Sequence, residues 1–201
     1  MGYALRERRD DCVYHVWTRA TAGRYLCDDS EDRSRLVRLL ALVVLRYDWR
    51  CHMYCVLGTH YHLVIGTPRA NIDRGMQWLN AVYAKTFNER HERFGHLVAE
   101  RYSSRVVDSE EYAVELCRYV PLNPVEAGLC ESPQSWPWSS YAATIGRAKI
   151  PPWLDPTWVL DRFGADIDTA RKVLHAWVMS GVGQTLELPE PPQRRLRLVE
   201  G

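Results

Sequence analysis

Lysine is nearly missing from this chain. It occurs only at Lys85, Lys149 and Lys172, so the basic total of 26 is almost entirely arginine. Guanidinium forks favour planar, bidentate contact with phosphate, although arginine-rich codon usage in a GC-rich genome produces the same bias. A charge excess is also lacking: 25 acids nearly balance the bases and leave a formal net charge of +1, so bulk charge does not announce a nucleic-acid partner. Long apolar runs are absent too. The longest, "LLALVVL", falls well short of the roughly 20 residues that cross a bilayer, so no spanning segment and no membrane partner are expected. The six cysteines are irregularly spaced, and "MGYALRERRDD" at the start carries no apolar leader core. The expectation is a soluble intracellular chain with reduced thiols.

What is present reads as globular, with 46% hydrophobic and 25% charged residues over 201 positions. "DCVYHVWTRA" alternates as a first strand, with Val13, His15 and Trp17 on one face and Tyr14, Val16 and Thr18 on the other. "DDSEDRSRLVRLLALVVLRYD" opens on capping residues and continues with apolar residues at helical spacing. "WRCHMYCVLG" and "HYHLVIG" form two strands joined tightly at Gly58–Thr59. A second helix follows Asn71, the predicted cap, with an apolar stripe of Ile72, Met76, Leu79, Val82, Tyr83 and Phe87. "HLVAERYSSRVVD" is the predicted fourth strand, and Ser109 opens a third helix, "SEEYAVELCRYVPLNP".

The order β-α-β-β-α-β plus a helix predicts an α+β, ferredoxin-like (RRM-like) fold, a four-stranded antiparallel sheet with two helices on one face. The predicted organisation is one unit over residues 1–132. An extension rich in Trp and Pro follows over 133–201, with a final helix in "DIDTARKVLHAWVMSGVG" and a loose Pro-rich tail.

In "LGTHYHLVIG", His60 and His62 share one strand face. Neutral imidazoles at that separation can chelate a divalent ion and leave room for a third ligand. Structural histidines explain the same pair. In "RYVPLNP", Tyr119 and Asn123 are four apart on one helix face. The Asn carbonyl is a hard oxygen ligand suited to Mg or Mn, and the phenol is a nucleophile for a metal-polarised phosphorus. A core aromatic and a helix C-cap are the structural alternatives for these two residues. Tyr102 and Tyr112 are rival nucleophiles. Cys51, His52 and Cys55 raise a zinc reading, but their spacing places both cysteines on one strand face and no second Cys pair completes a tetrahedral site.

Together these stretches resemble a known family. "YHVWTRA", "HYHLVI", "GHLVAERYSSRVVDSEEY", "ELCRYVPLNPVEAGL" and "WPWSSYAATIG", in this order, are similar to the single-tyrosine HUH transposases, particularly the REP-associated tyrosine transposase branch. The resemblance implies a bacterial, nucleoid-associated, metal-dependent endonuclease and strand transferase. Its substrate is single-stranded DNA beside a REP-like hairpin, and its intermediate a 5′-phosphotyrosine. It implies His60, His62 and Asn123 as ligands of Mg or Mn and Tyr119 as nucleophile, in a homodimer or a monomer.

Two departures from the family pattern stand out. Thr59 replaces the Asn usual before the first His, and Pro121 is expected to distort the helix between Tyr119 and Asn123. For DNA contact, Arg101 and Arg105 are the expected phosphate ligands, near the active-site end of the fourth strand. Tyr83 and Phe87 fall on the core stripe instead, and "WPWSSY" is either a stacking surface or core. The competing functions are a non-catalytic nucleic-acid-binding module on the same sheet and a structural zinc protein.

Overall fold

Two aspartates start the first helix. Asp29 accepts from the Asp32 backbone N–H at 2.9 Å while the Asp32 carboxylate reaches back to the Asp29 N–H, a reciprocal cap. From there α1 runs Ser30–Tyr47 and buries Leu36, Leu40, Val43 and Val44, ending at Asp48 in the left-handed region (φ 57°). The computed structural model describes residues 10–99 and 101–189. The charged N-terminal stretch and the end of the Pro-rich tail lie outside them.

Around α1 the chain forms strands β1 (Cys12–Arg19), β2 (Arg50–Val56), β3 (His60–Thr67) and β4 (Ser103–Val106), and helices α2 (Ile72–Arg90) and α3 (Glu110–Glu126). The sheet order is β2-β3-β1-β4 with every pairing antiparallel, the ferredoxin-like order expected from the sequence. Leu57 N–H to His60 carbonyl (2.9 Å) closes the Gly58–Thr59 hairpin. The fourth strand is much shorter than predicted. Among the described residues upstream of it, Val98 bridges Ala20, and the Ala99 N–H bonds the Arg19 carbonyl at 3.2 Å. Asn71 holds the N-cap position of α2 but makes no cap bond. Its amide instead joins the Tyr47 carbonyl (2.9 Å) to the Trp49 indole N–H (2.8 Å), tying α2 to the end of α1.

The sheet has two apolar faces. Tyr14, Val16, Tyr61, Leu63 and Ile65 pack against α1 and α2, with Tyr83, Phe87 and Tyr102 in the same cluster. Met53, Cys55, Leu57 and Val64 pack on the other face against α3 and the residues that follow it. A register shift between Cys51 and Met53 puts an extra residue in β2, so Cys51 faces the first cluster and Cys55 the second. The spacing rule that placed both cysteines on one face therefore fails. Cys51 and Cys55 thus cannot share one metal ion, and among the described residues no group of three His, Cys, Asp or Glu converges.

Gly75 sits inside α2 because Trp49 lies against it. A Cβ there would meet Trp49 Cζ2 at 2.0 Å. After α3 come a 3-10 turn (Pro133–Ser135), the short helices α4 (Tyr141–Thr144) and α5 (Thr157–Leu160), and α6 (Ile167–Ser180). The "WPWSS" segment runs along the outer edge of β2, with Val56 N–H to Trp138 O at 2.9 Å and Ser140 N–H to Tyr54 O at 3.0 Å. This covers an otherwise open sheet edge. Trp136 is buried and donates to the Val56 carbonyl at 2.9 Å, so it belongs to the core. Among the described residues no helix is long and apolar enough to cross a membrane.

Candidate active site

Side chains opposite one another in an antiparallel pair share a face, and β1 pairs with β3 so that Trp17 faces His62 and Arg19 faces His60. His15, His60 and His62 therefore stand on the face that α3 covers. Helix α3 is capped by Ser109, whose hydroxyl accepts from the Tyr112 N–H at 3.2 Å, and it runs unbroken through Pro121 and Pro124. The distortion expected at Pro121 does not appear. Each proline costs one backbone donor, but the turn that spans them gains a bond from the Asn123 amide to the Tyr119 carbonyl at 2.7 Å. Both prolines are buried under the apolar packing of the second face.

That bond fixes the orientation of Asn123. With its nitrogen committed to Tyr119, its Oδ1 faces His60 Nε2 at 3.4 Å. His60 Nδ1 contacts the Thr59 hydroxyl at 3.0 Å, so the residue that departs from the family pattern steadies the first histidine. The His60 and His62 rings meet edge to face at 5.1 Å, and the Tyr119 ring stands edge to face with His62 at 5.4 Å. The structure thus brings His60, His62, Tyr119 and Asn123 together within one chain.

Beneath them runs a buried hydrogen-bonded chain. His62 Nδ1 meets His15 Nε2 at 2.9 Å, and His15 Nδ1 meets the Tyr112 hydroxyl at 2.8 Å. The Arg105 guanidinium lies 3.7 Å over the Tyr112 ring and donates to the Pro189 carbonyl. His62 is only 2% exposed, and its Nε2 is buried without a hydrogen-bond partner. An orphaned buried imidazole nitrogen is costly unless something binds it. If His62 Nδ1–H donates to His15 and His15 Nδ1–H donates to Tyr112, the free Nε2 carries a lone pair, as a metal ligand needs.

Burial dominates the electrostatics. It lowers His60, lowers His62 well below the usual imidazole range with help from neighbouring His15, and takes His15 down to about 3. All three are therefore neutral at pH 7. Burial also raises the Tyr119 phenol. Glu126, two turns along the same helix face, adds to that rise, while Arg19 opposes it.

The other candidate residues fall elsewhere. Tyr102 packs in the cluster on the opposite face of the sheet. Tyr112 is buried and committed to His15, with its phenol pushed up to about 12 mainly by burial. Arg105 reaches the rear of the site through Tyr112, and Arg101 is exposed just before β4. Sequence reasoning missed His15 and Arg19. His15 was visible as an inward-facing polar residue on β1, but only strand register shows that it meets His62.

Residues 8–123 match the family described as IS200-like transposases. The chain belongs to that family. In fold, the transposase resembles a REP-associated tyrosine transposase solved bound to a REP hairpin, with a TM-score of 0.60 at 17% identity over 78% of this chain and 94% of that one. A tRNA(His) guanylyltransferase from Saccharomyces cerevisiae aligns at a TM-score of 0.44 and 11% identity, over 86% of this chain and 80% of that one, too low to support an argument. No curated protein matches the transposase.

Proposed function

We propose that this transposase is a metal-dependent single-stranded DNA endonuclease and strand transferase that acts beside a hairpin through a 5′-phosphotyrosine on Tyr119. One observation carries the reading. The orphaned His62 Nε2, His60 Nε2, Asn123 Oδ1 and the Tyr119 ring meet on one sheet face.

Two imidazoles and an amide oxygen fit a divalent ion of the Mg or Mn class, so His60, His62 and Asn123 would hold it. Bound there, it would polarise a phosphate oxygen and ease loss of the phenolic proton. The chain's own residues do the rest. Tyr119 Oη attacks phosphorus in line, the P–O3′ bond breaks, and the departing 3′ oxygen gains a proton while the phenol loses one. A 3′-hydroxyl from another end reverses the exchange, breaking the P–O bond to Tyr119 and returning the proton to it. Arg101 serves as a phosphate-contacting cation, and Arg105 does so only by leaving its place over the Tyr112 ring and its bond to the Pro189 carbonyl. Residues 1–132 act as the catalytic unit and 133–201 as its buttress, and one chain supplies every group the step needs. The hairpin assignment is supported by the partner of the structural relative.

The test is incubation of the full chain with labelled hairpin DNA from the gene's flanks, with Mn and without. A denaturation-resistant adduct that needs Mn, and that is lost in His60→Ala and His62→Ala, is expected. Cleavage by the His60→Ala/His62→Ala double variant at the wild-type rate would overturn the metal role.

A further inference from the structure

Few large aromatic rings are left in water, and where exposed rings gather they mark a contact surface. Among the described residues two are so left: Tyr25, 59% exposed, and Phe94, 91% exposed. Each follows an arginine, in "RY" (Arg24–Tyr25) and "RF" (Arg93–Phe94), and the two pairs line one shallow hollow of about 370 Å3 together with Gly23.

The loops that carry the rings are tied down. The Leu26 and Cys27 N–H groups both donate to the Gly58 carbonyl, at 2.7 and 2.9 Å. Thr21 holds the second loop through the His96 and Leu97 carbonyls, and the Asn88 amide holds Gly95 at 3.0 Å. Gly23 and Gly95 adopt positive φ (74° and 90°), turning the chain where a side chain would be strained. Arg93 pairs with Asp28 at 3.0 Å and lies 5.6 Å over the Phe87 ring, yet its side chain stays 41% exposed.

The hollow adjoins the site. A Cβ on Gly58 would lie 3.3 Å from the Tyr25 ring, and Gly58 is two residues before His60. The Ala20 N–H bonds the Thr59 carbonyl at 2.8 Å, and exposed Arg19 pairs with His60 across the strands. The loops that carry Tyr25 and Phe94 are therefore bonded to the strand ends that hold Arg19 and His60.

We propose that Tyr25 and Phe94 form a stacking platform for unpaired nucleotides of the single strand that enters the active site, with Arg24, Arg93 and Arg19 along its phosphates. Rings offer a π-face to any exposed base, and the arginines match a polyanion. Bases inside a duplex must first be unstacked to use the rings, whereas unpaired bases need not be, so the single strand is the favoured occupant. This inference rests on the proposed function and names where its strand lies.

The test uses a hairpin with an unpaired tail carrying 2-aminopurine, and the same hairpin without the tail. The full chain is titrated alongside its Tyr25→Ala, Phe94→Ala and Phe94→Trp variants. Both alanine variants should lose tail-dependent affinity by about 5- to 150-fold and relieve the 2-aminopurine quenching, whereas Phe94→Trp keeps both. Affinity for the tailless hairpin should not move. Equal tailed-hairpin affinity in all variants, or an equal loss for both DNAs, would overturn the platform. Adduct on Tyr119, scored in the same samples, separates the two readings. Adduct with unmoved affinities sinks the platform alone. Lost tail affinity without any wild-type adduct supports the platform and counts against the chemistry.

Discussion

Replacing His15 by Phe tests whether the buried chain beneath the site orients His62. The ring volume is nearly kept, but two hydrogen bonds go, at 2.9 Å to His62 and 2.8 Å to Tyr112. Both partners are almost fully buried, so each is left unsatisfied at about 1–3 kcal/mol. The expected loss is roughly 2–6 kcal/mol against a total stability of about 5–15 kcal/mol. Removing the second partner as well, in His15→Phe/Tyr112→Phe, should return part of that loss, because no orphaned hydroxyl remains. Function should change in a defined way. Without the bond that holds its ring and tautomer, His62 should bind metal about 10- to 100-fold more weakly. The assay is the Mn concentration that half-saturates hairpin cleavage, beside urea denaturation of the same variants. Cleavage at saturating Mn should largely return. An unchanged half-saturating Mn concentration would refute the orienting role of His15.

Three further outcomes follow from the packing and the charges. Gly75→Ala, which gains about 1 kcal/mol in an ordinary helix, should instead destabilise by about 1–3 kcal/mol, since its Cβ would lie 2.0 Å from Trp49; denaturant midpoints check the sign. Asp29 is held down to about 2, first by its hydrogen bond from Arg90 and then by the Asp32 backbone N–H. Its folded value lies below the unfolded 3.8, so its stabilisation is full above that pH and lost as pH falls towards 2. Asp29→Asn should flatten the stability profile in that window, as acid denaturation will show. Tailed-hairpin affinity should fall with salt, and Arg101→Ala or Arg105→Ala should each reduce the slope by about 0.7. The slope measured for Arg105→Ala also checks whether a guanidinium tied to Tyr112 and Pro189 still reaches phosphate.

Much of the fold was legible because periodicity and caps are local. Helix α1 starts within the predicted capping stretch, with Asp29 as the cap, and the Ser109 helix start and the β1 strand appear where the residues predict them. The short fourth strand and the β2 bulge were not legible, since both depend on what the neighbouring strand pairs with. At the site, the His pair and the Tyr–Asn spacing could be read from single elements. The role of His15 could not, because it arises where two strands and a helix meet over 97 residues of separation. Pro121 misled for the same reason. Helix propensity disfavours it, whereas burial and the Asn123–Tyr119 bond decide the outcome. The stacking pair escaped notice because nothing in the sequence marks Phe94 as exposed and Phe87 as core.

The central claim, that Tyr119 is the nucleophile, is tested most directly by mapping the DNA-linked peptide by mass spectrometry after incubation with hairpin DNA and Mn. The account predicts a phosphonucleotide on Tyr119, none in Tyr119→Phe, and adduct still formed by Tyr102→Phe and Tyr112→Phe. A phosphonucleotide on Tyr102 or Tyr112, or a metal-dependent nick with no adduct at all, would contradict it.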